Sequence, residues 1–155
     1  MDSPAPPTRA SWQDAAVLSY GFRPFFLAAA VWASLCVAMW VAWLRGAAAL
    51  PSALPPLAWH VHELLFGMVV AVMAGFLLTA VPSWTKRPPV SGLPLAALFG
   101  LWVAGRAAIA ASGLIGLVPA FMVALVFPIA LIAVIGREIA AAGNRRNLPV
   151  VALLV

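Results

Sequence analysis

Hydrophobic residues fall in blocks that each match the thickness of a bilayer, and this pattern limits the chain more than any motif does. The blocks run from about Pro24 to Leu44, Leu57 to Val81, Leu93 to Ile115 and Pro119 to Ile135. A helix of about 20 apolar residues crosses a hydrocarbon core of about 30 Å. Composition agrees: 65% of the 155 residues are hydrophobic and 8% are charged. Soluble domains are about one-quarter charged. The expected fold is all-α, a polytopic transmembrane helix bundle. Leu148 to Val155 begins a further hydrophobic run and stops at half a span. A half-span leaves backbone groups in lipid without partners. The expectation is therefore four complete spans plus the start of a fifth, with residues 21–155 the N-terminal part of a longer multi-span chain. Residues 1–20, with Pro4, Pro6 and Pro7, read as a flexible or interfacial segment, in which Ser11 to Asp14 suits a short capped turn.

Loops follow from the breakers between blocks. Arg45 to Pro56, Pro82 to Pro89 and Gly136 to Asn147 carry most of the bases, and the first two are rich in proline. The net charge of +5 has no long basic tract behind it, so it does not point to nucleic acid. The bases lie beside hydrophobic runs, where they set topology and meet anionic lipid. With the N-terminus inside, the inner side holds Arg9, Arg23, Lys86, Arg87, Arg137, Arg145 and Arg146, and the outer side holds Arg45. Cys36 is the sole cysteine, which excludes an intrachain disulfide and a cysteine-only zinc site.

The chemistry-bearing stretch is Trp59-His60-Val61-His62-Glu63-Leu64-Leu65-Phe66-Gly67, at the outer end of the second span. It holds both histidines and one of the two glutamates. Ionisable groups in a spanning helix are costly, which makes them functional candidates. On a regular helix, at about 100° per residue, His60, Glu63, Gly67, Ala71 and Ala74 form one stripe of polar and small residues. Small residues let a neighbouring helix approach. His62 lies about 160° from His60 on the same wheel. The pair therefore cannot share one metal on a regular helix. Either they serve different metals or partners, or the helix starts only after them, as Pro55 and Pro56 would permit. Glu63 shares a face with His60 and is less well placed for His62. Interfacial, solvated histidines are the plain alternative.

Arg106 is the second feature, near the middle of the third span. At ~1.5 Å per residue it lies roughly 16 Å below the outer end of that span, and Glu63 roughly 9 Å below the end of its own. A long guanidinium side chain spans that difference. Two roles are open for it: pairing with Glu63, or holding an acidic group such as a haem propionate. Arg23, before Pro24, sits at an interface, within reach of head groups or a specific site.

Several strings occur together in one order: Gly21-Phe22-Arg23-Pro24-Phe25-Phe26, Trp59-His60-Val61-His62-Glu63, Gly75-Phe76-Leu77-Leu78-Thr79-Ala80-Val81-Pro82-Ser83-Trp84-Thr85, Gly105-Arg106 and Arg146-Asn147-Leu148-Pro149. The set resembles the NnrS family, with departures at Ser83 and Lys86. The resemblance implies a bacterial inner-membrane protein that contains haem and copper and is linked to denitrification and the response to nitric oxide. It makes His60 and His62 candidate metal ligands, Arg106 and Arg23 candidate cofactor contacts, and Glu63 a supporting residue. A transport or channel module with a polar path through Glu63 and Arg106, or a scaffold without chemistry, are the competing readings of the same residues.

Overall fold

A computed structural model of the chain describes residues 16–143. The start of the proposed fifth span and the capped turn at Ser11 to Asp14 lie outside the described residues. A 3₁₀ turn at Ala16–Leu18 leads into α1 (Phe22–Leu44), α2 (Pro56–Thr85), α3 (Gly92–Ala110), the short α4 (Ser112–Ile115) and α5 (Leu117–Ala141). No strand occurs among the described residues. The fold is an all-α bundle, and α1, α2, α3 and α5 are each long and apolar enough to cross a membrane.

Three helix boundaries differ from those read off the sequence. α2 continues to Thr85, through Pro82, where a loop is expected. Pro82 costs one amide donor without ending the helix, and in the last turn the Thr85 hydroxyl donates to the Val81 carbonyl at 2.8 Å. Lys86 then ends the helix in the left-handed conformation, φ 58°. α3 stops at Ala110, short of Ile115, because the first loop competes for its last turn. Ser112 Oγ accepts the Ala53 amide at 2.9 Å, and the Gly113 amide donates to the Pro51 carbonyl at 2.8 Å. α5 runs on to Ala141, past Gly136. Near its end Arg87 Nε donates to Glu138 Oε2 at 2.6 Å, tying the loop after α2 to this helix.

α1 packs along α2, α2 also meets α5, and α3 packs along α5. Lipid tails are as apolar as leucine, so these contacts rest on close packing and not on escape from water. Glycines supply the closeness. A Cβ on Gly105 would stand 3.1 Å from the Ala124 Cα, and one on Gly75 would stand 2.7 Å from the Phe26 ring. The expected stripe of small residues does face the bundle: Ala71 and Ala74 have no exposed surface and Gly67 is buried. Cys36 is buried and packs with Trp59 and Ile109. Large apolar side chains such as Leu27, Leu114 and Val118 point outward, as a lipid-facing surface requires. Arg23, Lys86, Arg87 and Arg137 lie at the end of the bundle where α1 begins, and Arg45 lies at the opposite end with the histidines.

Candidate metal and cofactor site

The site is built on the first half of α2. Pro55 is extended (φ −60°, ψ 157°) and Pro56 opens the helix, so α2 is regular before the histidines are reached. The irregularity follows them. From Glu63 to Val69 the helix is π-helical, and the Val70 amide reaches back five residues to the Leu65 carbonyl. π-Helical turns are rare and gather at functional sites. At the end of this stretch the Gly67 carbonyl, which the Val70 amide also reaches, accepts the Trp102 indole N–H at 3.0 Å.

Glu63 is the centre of the site and has no exposed surface. Its Oε2 accepts the Trp32 indole at 3.0 Å and Arg106 NH1 at 3.2 Å. Its Oε1 lies 3.0 Å from His62 Nδ1. Sequence spacing favoured His60 as the partner of Glu63, and the structure reverses this. A glutamate side chain is long enough to fold along the helix to its chain neighbour, and the π-turn begins at this residue. A buried carboxylate is stable only when paired and hydrogen-bonded, and here three donors from three helices supply that.

Arg106 is 5% exposed and pairs with Glu63, the first of its two expected roles. The early end of α3 explains the reach. Arg106 lies four residues from that end, about 6 Å, and so stands close to the level of Glu63 without a long extension. Its Nε has no hydrogen-bond partner. His60 turns to another helix. Its ring lies flat on Trp40 of α1, with centroids 4.3 Å apart and planes 12° apart, and its Nδ1 is buried without a partner. His62 packs edge-on against Phe121 of α5 at 5.4 Å. The two histidines therefore serve different neighbours, as their spacing predicts. Arg23 is not brought to the site. It is exposed, donates NH1 to the Ala16 carbonyl at 2.7 Å, and lies seventeen residues, about 25 Å of helix, from Trp40.

Sequence reasoning missed Trp32, Trp40 and Trp102. Inside apolar runs they look like ordinary packing residues; the indole N–H marks Trp32 and Trp102, since a buried indole N–H seeks an acceptor, whereas Trp40 meets His60 by its ring face and its Nε1 has no partner. A cleft of about 500 Å³ opens between α2, α3 and α5, lined by His62, Phe66, Val70, Arg106, Phe121 and Pro128. Ligand pockets span about 300–1,000 Å³ and are mostly apolar with a few polar groups. Among the described residues, no group of three or more His, Cys, Asp or Glu side chains could hold a metal ion.

A family model described as "NnrS protein" matches residues 16–155, nearly the whole chain. The chain belongs to the NnrS family. No curated protein and no solved structure matches it. The NnrS match covers every residue of the cluster, from Trp32 on α1 to Phe121 on α5. The donor set of this NnrS chain suits a group that needs one imidazole and an adjacent cation. His62 has one ring nitrogen on Glu63 and lines the cleft beside Arg106. The described residues do not by themselves form a multi-ligand copper site.

Proposed function

We propose that this NnrS-family chain is a bacterial inner-membrane protein that binds haem and copper and serves the response to nitric oxide. One observation carries the reading: His62 Nδ1 is held by the fully buried Glu63, beside a cleft that also contains Arg106. A ligating imidazole usually has its other nitrogen fixed by a carboxylate in this way. His62 Nε2 is then the donor to haem iron, and Arg106, with Nε unpaired, suits an acidic edge such as a propionate. Bound there, the iron would supply a coordination site and a redox centre for a small ligand. Glu63 holds the ring in place, and Phe66 and Phe121 give the cleft an apolar lining. His60, with Nδ1 unpaired, is the candidate donor for copper. The pairing of Glu63 with three donors weighs against a polar transport path through it. The basic end of the bundle faces the cytoplasm by the positive-inside rule, which puts the histidines on the periplasmic side.

The test is haem and copper analysis of the purified protein with its optical spectrum. The wild type is expected to show a Soret band and copper. His62→Ala should lose most of the haem, and His60→Ala should change copper more than haem. Unchanged haem and copper in both variants would end the ligand reading and leave interfacial histidines on a structural helix.

A further inference from the structure

Trp32 touches the carboxylate of Glu63 but not the cleft. Its indole donates to Oε2 at 3.0 Å, while its ring lines a separate apolar groove between α1 and α3. Its orientation is fixed on two sides. Trp102 stands edge-on to it, with centroids 6.0 Å apart and planes 80° apart, and Trp102 is itself pinned to the Gly67 carbonyl. Gly67 leaves the space: a Cβ there would come 2.6 Å from Trp32 Nε1. A neutral donor is thus held rigidly on the far oxygen of the one carboxylate that grips His62.

We infer that Trp32 is a positioning residue that sets the electron donation of His62 through Glu63. The inference rests on the reading of His62 as a haem ligand. A carboxylate that accepts an indole N–H on Oε2 holds less negative charge on Oε1. It therefore pulls less on the His62 Nδ1 proton, and the imidazole stays a moderate donor. Without the indole, Glu63 draws that proton more strongly, His62 donates more to iron, and the oxidised state gains. Hydrogen bonds to charged groups are the strong ones, so the change reaches the metal through one ring. Arg106 shares Oε2 but also borders the cleft, so its loss would mix this effect with direct cofactor contact. Trp32 separates them.

The experiment uses the haem-loaded protein and three variants. Trp32→Phe removes the donor and keeps an aromatic edge for Trp102. Trp32→His returns a ring N–H. Gly67→Ala keeps the indole but crowds it off Glu63, and its haem content reports any disturbance of Arg106, whose NH1 the same Cβ would meet at 3.0 Å, which covers the case in which Trp32→Phe does not assemble. The readouts are haem content, the ferrous fraction at a fixed applied potential and the iron–histidine stretching frequency. Trp32→Phe should keep its haem, lower the ferrous fraction several-fold and raise the stretching frequency, and Gly67→Ala should move both in the same sense. Trp32→His should return both toward the wild type. Full haem with unchanged ferrous fraction and frequency in Trp32→Phe and Gly67→Ala would overturn the inference and leave Trp32 a packing residue. His62→Ala tells the two ideas apart. Retention of histidine-ligated haem in that variant removes the ligand reading and this inference with it, whereas loss there with no shift in Trp32→Phe removes the inference alone.

Discussion

Arg106 NH1 lies 3.2 Å from Glu63 Oε2, and both side chains are nearly sealed, 6% and 0% exposed. They come from different helices and are 43 residues apart in sequence. Removing one partner leaves a buried charge uncompensated, at ~3–5 kcal/mol. Arg106→Met should therefore destabilise the bundle strongly, and Glu63→Leu added to it should recover a large part. Unfolding of the purified protein in mixed micelles with increasing dodecyl sulfate measures both. A single variant as stable as the wild type would show that the pair adds nothing to the fold.

Gly67 marks the closest approach in the site. A Cβ there meets Trp32 Nε1 at 2.6 Å and Arg106 NH1 at 3.0 Å. Overpacking typically costs ~1–3 kcal/mol. Gly67→Leu should cost more than Gly67→Ala in the same unfolding assay. Equal stability of both with the wild type would contradict the packing of α2.

Ser112 holds the first loop onto the end of α3. Its hydroxyl donates to the Ile109 carbonyl at 2.8 Å and accepts the Ala53 amide at 2.9 Å. Ser112→Ala leaves that amide without an acceptor, a loss of ~1–3 kcal/mol. The protein should stay folded while hydrogen exchange speeds up at Ala53 and Gly113. Exchange unchanged at both amides would show that the loop is held by its prolines alone.

Orientation follows from charge. Topology reporters fused between Arg45 and Pro55 should read as periplasmic, and reporters between Lys86 and Ser91 as cytoplasmic. The opposite pair of signals would place His60 and His62 on the cytoplasmic side.

The sequence by itself determined the membrane-spanning class, because hydropathy is a property of each block and its solvent, with no partner needed. It also marked His60, His62, Glu63 and Arg106, since ionisable groups stand out in apolar runs. The stripe of Gly67, Ala71 and Ala74 was legible for the same reason: small side chains at helical spacing have one use in a bundle. Tertiary structure decided the rest. α2 passes Pro82 and stops where Lys86 takes the left-handed conformation, and where α3 stops depended on Ser112 meeting a loop about sixty residues earlier. Which histidine Glu63 holds depended on packing between helices: His60 lies flat on Trp40 of α1, and His62 meets the carboxylate. Trp32 and Trp102 gained their roles from where their indole N–H groups point. That direction is set by the packing of α1 and α3 against α2, and no local pattern in the chain encodes it.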